Sequence, residues 1–151
     1  MDDKYRSLVA AYVMVVNDKN EILLSQRQNT GYRDGFYDMP AGHLEANETL
    51  TQAACRELKE ETNLDAKPED MEFLQLLHRQ SLNDREYLDV FFKITKWNGE
   101  PKLMEPDKCS DMRWFPMDAL PDNMVPHQRV VLDSLKSGIR YQEMWGKSPD
   151  A

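Results

Sequence analysis

Cysteine, histidine and glycine are scarce in this chain of 151 residues, at two, three and six respectively. Two cysteines, Cys55 and Cys109, cannot build a disulfide framework, so a reducing, cytoplasmic setting is expected. The histidines, His43, His78 and His127, are too scattered to suggest a zinc site. Basic residues fall short of acidic ones, 19 against 27, which leaves a net charge of −8. Such a chain lacks the basic surface that polymeric DNA or RNA demands. It does not lack the means to hold a small phosphorylated molecule, because a bound divalent cation reverses the local sign. Long hydrophobic runs are also missing: Leu8–Val16 is too short to cross a bilayer. No basic start leads into a small-residue cleavage site, so no secretory signal is expected. With no repeat, low-complexity segment or linker, residues 1–151 read as one domain.

Gly42–Leu64 is the informative stretch. It runs Gly42-His43-Leu44-Glu45-Ala46-Asn47-Glu48, then seven residues, then Arg56-Glu57-Leu58-Lys59-Glu60-Glu61-Thr62-Asn63-Leu64. Glu57, Glu60 and Glu61 stand at i, i+3 and i+4, which on a helix places three carboxylates on one side, close enough to share a divalent cation. That placement is costly, since like charges one turn apart repel and the helix C-terminus disfavours anions. A solvated helix face would explain Arg56–Glu61 alone, with Arg56 and Glu60 as an i, i+4 ion pair. It would not require Gly42 and Glu48 at their fixed distances upstream.

The segment resembles the Nudix box, G-x5-E-x7-R-E-U-x-E-E-x-G-U, where U is a bulky aliphatic residue. Gly42, Glu48, Arg56, Glu57, Leu58, Glu60, Glu61 and Leu64 match in register. The second box glycine is Asn63 here, and asparagine is the residue after glycine that best tolerates a left-handed helix terminus. Weaker resemblance to small Nudix hydrolases extends from Ser7 to Leu135.

Local patterning supplies the elements. Ser7–Val16 and Glu21–Gln28 read as strands joined by the turn Asn17–Asn20, a hairpin. Asn29–Gly35 is a loop, and Phe36–His43 is extended because Pro40 biases Met39 away from helix. Thr49–Thr62 is the helix, opened by a capping box of Thr49 and Gln52 and striped with Leu50, Ala53, Ala54 and Leu58. Asp65–Asp70 is a loop. Met71–Arg79 and Glu86–Thr95 are strands, Gly99–Cys109 is irregular, and Asp111–Phe115 is a short strand. Asp118–Leu120 forms one helical turn stopped by Pro121, and His127–Lys136 is a terminal helix ended by Gly138. The last dozen residues are a strand or a tail. Strands on both sides of a central helix indicate an α/β arrangement with a mixed sheet, and the resemblance implies the Nudix α/β/α sandwich.

The resemblance also implies chemistry. Glu57 and Glu61 would be direct ligands of Mg²⁺ or Mn²⁺, with Glu60 a further ligand or the holder of a bound water, and the Ala41 carbonyl a backbone ligand. Gly42 would let backbone approach metal and phosphate, having no Cβ. Arg56 would orient the carboxylates, and Glu48 would bond within the loop–helix motif. Arg27 matches a position where relatives often place a phosphate-binding arginine, although an exposed strand arginine reads the same. The general base is a box glutamate or a loop acid, for which Glu105, Asp107 and Asp111 are candidates. Glu57, Glu60 and Arg56 are therefore the catalytic residues expected, and Arg27 and Gly42 the substrate-binding ones.

The reaction implied is hydrolysis of a diphosphate linkage in a nucleotide. The segment Glu105–Pro121 resembles the MutT-like branch, and Leu77–Asn83 lacks a proline found in the ADP-ribose-cleaving group, which favours a nucleoside triphosphate cut to monophosphate and pyrophosphate. ADP-ribose, a nucleotide sugar or a dinucleoside polyphosphate is the alternative, followed by a non-catalytic binding module. Trp114 reads as a core aromatic. The partner expected is a small nucleotide, with no membrane and no polymeric nucleic acid; relatives are often homodimers.

Overall fold

The computed structural model describes residues 3–146. Among them the chain forms β1 (Leu8–Val15), β2 (Glu21–Arg27), β3 (Tyr37–Asp38), β4 (Ala41–His43), α1 (Leu50–Thr62), β5 (Glu72–Gln80), β6 (Glu86–Ile94), β7 (Cys109–Pro116), α2 (Pro126–Ser134) and β8 (Tyr141–Met144), in that order. A mixed sheet runs β4-β1-β6-β5-β8, and a smaller sheet runs β3-β2-β7. β1–β6 and β5–β8 are parallel pairs; β1–β4 and β5–β6 are antiparallel.

β1 shows why helices lie on both faces of the larger sheet. Its side chains alternate, so Ala10, Tyr12 and Met14 join one core with Val131 and Leu132 of α2. Ala11, Val13 and Val15 join the other with Ala53, Ala54 and Leu58 of α1. Both faces must therefore be covered, and the α/β/α sandwich expected from the sequence is the result. Leu58 is fully buried, and a leucine so placed contributes roughly 1.5–3 kcal/mol.

α1 begins and ends as its sequence dictates. The Thr49 hydroxyl accepts from the Gln52 amide at 3.2 Å, and the Gln52 side chain accepts from the Thr49 amide at 2.8 Å. Asn63 takes the left-handed cap with φ 68° and sends its amide to the Lys59 carbonyl.

Some elements differ from expectation. β1 and β2 touch at one bridge, Val16 with Ile22, and then enter different sheets. β1 already spends both edges on β4 and β6, so β2 pairs with β3 and β7 instead of completing a hairpin. The Asp65–Asp70 loop contains a 3-10 turn over Pro68–Asp70. Asp118–Leu120 is a plain turn, closed by the Ala119 amide on the Pro116 carbonyl at 3.0 Å; Pro121 has no amide with which to extend it. The terminal helix starts at Pro126, tightens to 3-10 geometry over Leu135–Ser137 and stops at Gly138, φ 68°. β8 gives the last dozen residues a strand, while residues 147–151 lie outside those described. No helix among the described residues is long and apolar enough to cross a membrane.

Candidate active site

The box acids occupy the face of α1 that meets β4. Arg56 organises them. Its Nε and Nη2 donate to the two Glu48 oxygens at 3.0 and 2.8 Å, its Nη1 donates to Glu57 Oε1 at 2.6 Å, and Nη2 also reaches the His43 carbonyl at 3.1 Å. Glu48 in turn accepts the Glu45 amide at 2.8 Å. The guanidinium thus ties the loop before α1 to the helix itself, using the planar fork that lysine lacks. Hydrogen bonds from Arg56 hold the Glu48 carboxyl below its usual range.

Gly42 sits against Glu57. A Cβ on Gly42 would lie 2.0 Å from the Glu57 carboxyl carbon, so the missing side chain is what makes room for the carboxylate. Glu61 is deeply placed, and its Oε2 accepts from the Ala41 amide at 3.2 Å. Burial first, and then the nearby Asp38 and Glu57 carboxylates, push Glu61 well above the usual carboxylate range. Burial likewise raises Glu57, against the opposing pull of Arg56. Asp38, on β3, is pushed up to about 6 by burial although Arg27 opposes the shift.

Arg27 is not an idle surface residue. Its Nη1 donates to Asp38 Oδ2 at 2.6 Å and its Nε to the Tyr32 carbonyl at 2.8 Å. It stands at the junction of two concavities. A polar groove of about 350 Å³ is lined by Glu57, Glu60, Glu61, Glu105, Asp38 and Arg27, among others. A second cavity of about 640 Å³ is lined by Gly42, His43, Arg79, Tyr87 and His127, among others. Arg27, Thr30, Asp38 and Glu61 line both, so the two spaces adjoin at these residues.

Of the three loop acids expected as alternatives for the base, Glu105 reaches the groove. Asp111 faces elsewhere: it accepts from the Tyr37 hydroxyl and from Arg113 Nε, both at 2.6 Å. These bonds hold it below its usual range, the Tyr37 bond foremost. Asp107 does not line the groove either. Glu60 does, with its side chain 55% exposed. Trp114 is half-buried against the core under α1 and stacks with Trp97 at 6.0 Å.

Among the described residues no three His, Cys, Asp or Glu side chains already close around one point, because Glu57 is turned to Arg56 and Glu61 to the Ala41 amide. The donor set nonetheless suits a hard divalent cation. It consists of oxygens, it crowds like charges around a buried Glu61, and Gly42 leaves a gap that a Cβ would fill. Sequence reasoning missed Asp38, Arg79 and Asp89. The two aspartates have no local spacing to mark them; strand register alone brings them to their arginines.

The NUDIX domain family matches residues 6–135 of the chain. A phosphatase NudJ from Escherichia coli O1:K1 / APEC is 44% identical over 130 residues, 84% of this chain and 82% of that protein. An ADP-ribose pyrophosphatase from Methanocaldococcus jannaschii is 29% identical, over 88% of this chain and 78% of that one. A crystal structure of a MutT NUDIX hydrolase from Burkholderia pseudomallei superposes with a TM-score of 0.77 at 25% identity, over 85% of this chain and 98% of the other. The chain belongs to the Nudix family and is a Nudix hydrolase of the MutT-like branch.

Proposed function

We propose that this Nudix hydrolase cleaves a phosphoric anhydride in a nucleotide, releasing a nucleoside monophosphate and pyrophosphate from a nucleoside triphosphate. The observation that carries this reading is that the carboxylate groove adjoins the larger cavity, with Arg27 lining both. A diphosphate fits where cation-binding acids and an arginine meet, and the remainder of the substrate fits the cavity beyond.

Glu57 and Glu61, with the Ala41 carbonyl, would hold Mg²⁺ or Mn²⁺, and Glu60 would extend the ligand set. Such a cation offsets phosphate charge and acidifies water. Arg56 keeps Glu57 at the groove, and Arg27, released in part from Asp38, clamps a phosphate oxygen pair. Glu105, the one of the three loop acids that lines the groove, would take the proton from the attacking water, with a box glutamate as the alternative. Water then attacks phosphorus, the anhydride P–O bond breaks, and pyrophosphate leaves.

One relative is an ADP-ribose pyrophosphatase, which keeps a nucleoside diphosphate derivative as a second substrate class. The test is a panel of ordinary and oxidised nucleoside triphosphates, ADP-ribose, nucleotide sugars and a dinucleoside polyphosphate, each with Mg²⁺ or Mn²⁺. Phosphate and pyrophosphate are read separately, with Glu57→Gln as control. Pyrophosphate from triphosphates, lost in the variant, is the expected result. Full turnover by Glu57→Gln overturns the metal-site assignment, and binding without turnover of any member overturns the enzymatic reading.

A further inference from the structure

The wall of the larger cavity includes an arginine that the hydrolytic chemistry does not use. Arg79, on β5, is 5% exposed yet forms part of the cavity wall. Its Nε donates to Asp89 Oδ2 on the neighbouring β6. Its guanidinium lies over the Tyr87 ring, 4.3 Å from the centroid, and the Tyr12 hydroxyl stands beside it. Arginine carries five N–H donors in a rigid fork, and most of these have no acceptor among the described residues. Nor are they sealed from the cavity. Among the described residues, the buried side-chain polar atoms without a partner are Asp89 Oδ1 and His127 Nδ1, and neither Arg79 Nη is among them. The Nη edge therefore opens on the cavity.

A buried ion pair is a poor way to gain stability, since an apolar pair of similar volume often does as well. Its position in the wall of a cavity gives it another use. Asp89 already neutralises Arg79, so the fork does not call for a further anion. It calls for a neutral oxygen acceptor, the kind a ring carbonyl presents. An amino group in the same place would set donor against donor. Tyr12, stacked on Phe91 at 4.5 Å, and Tyr87, under the Arg79 guanidinium, make the surrounding wall aromatic.

We propose that Arg79 is the residue that selects the non-phosphate end of the substrate, favouring a heterocycle with a carbonyl at its reading edge over one with an amino group. This rests on the nucleotide reading above. The tests use ITP against ATP and UTP against CTP, pairs that differ in oxo against amino at one exocyclic position. The wild type should prefer the oxo member about tenfold in kcat/KM, the size of one charge-assisted hydrogen bond, with the difference in KM rather than kcat. Arg79→Lys keeps a charge opposite Asp89 but loses the fork, and should bring each ratio to within about twofold. Should that variant fold poorly, the double variant Arg79→Met, Asp89→Leu removes the pair without stranding a buried charge.

Calorimetric binding of the monophosphates to the wild-type protein supplies a readout independent of turnover. An oxo preference in both binding and turnover, lost with Arg79, supports the proposal. Equal kcat/KM and equal affinity within each pair overturn it and leave the hydrolase reading standing. An oxo preference in binding with no hydrolysis of any triphosphate supports the role of Arg79 and overturns the triphosphate reading. No binding and no turnover overturn both.

Discussion

Replacing Gly42 by alanine tests the site at its tightest point. The added Cβ would lie 2.0 Å from the Glu57 carboxyl carbon and Oε1, and 2.6 Å from its Cγ. Carbon atoms pack at about 3.5–4.0 Å, so the carboxylate must withdraw by roughly 1.5–2 Å to reach that separation. The atoms met are the end of a flexible side chain, not backbone, so the fold can absorb the change by swinging Glu57 away. That swing breaks its 2.6 Å bond with Arg56 Nη1 and takes an expected cation ligand out of place. A misplacement of about 1 Å can cost on the order of 10²-fold in rate, and Gly42→Ala should lose at least that in kcat. Stability should fall by no more than about 2 kcal/mol, the worth of one charge-assisted hydrogen bond. The contrast is Gly138→Ala. Gly138 has φ 68° and nothing within 4 Å of its absent Cβ, so alanine there should lower stability through backbone strain while leaving kcat alone. Turnover at saturating substrate and urea midpoints on both variants decide the matter. A folded Gly42→Ala protein with wild-type kcat would refute the reasoning.

Glu105→Gln should reduce kcat by about 10²-fold or more, as loss of a general base does, while Asp107→Asn stays within about twofold of wild type, its side chain lying outside the groove. Equal losses in the two variants would remove Glu105 from the mechanism. His127 makes a pH prediction. Burial, and then Arg79, Arg33 and Arg27, hold it neutral well below the usual histidine range. Between that lowered value and about 6.5 the unfolded chain binds a proton that the folded one refuses, so stability falls as pH drops below about 6.5, by up to ~1.4 kcal/mol per pH unit. Urea midpoints from pH 7 to 5.5 should show this slope, and His127→Gln should remove that share of it; identical slopes would show that His127 does not carry it.

The parts legible in the sequence were those encoded within one turn or one strand. Thr49 and Gln52 cap α1 through a spacing of three, Asn63 ends it, and Glu57, Glu60 and Glu61 share a face because the helix repeats every 3.6 residues. The illegible parts depend on which strands become neighbours. Residues flanking Asn17–Asn20 suggested a hairpin by local pattern, but β1 is hydrogen-bonded on both edges by strands met later in the chain. Arg79 and Asp89 are ten residues apart with a turn between, and only the antiparallel register of β5 and β6 brings them together. Likewise Arg27 and Asp38 meet because β2 pairs with β3. Glu105, Asp107 and Asp111 were equivalent as loop acids until the path of the loop turned one of them to the groove.

Two arginine–carboxylate pairs, Arg56 with Glu57 and Arg27 with Asp38, bear on how an acidic chain can accommodate a phosphate. Asp38, Glu57 and Glu61 raise one another's energy in a buried space, and Glu61 bears most of it. Arg56 and Arg27 each offset one neighbour, and neither reaches Glu61, whose direct bond is to a neutral amide. Of these three acids, Glu61 is the one with no arginine partner among the described residues. A cation at Glu61 would relieve the crowding, leave Arg56 in place on Glu48 and Glu57, and free Arg27 to exchange Asp38 for phosphate. If Glu61 holds a cation, as proposed, that cation would offset the cost of ionising a carboxylate in so buried a place.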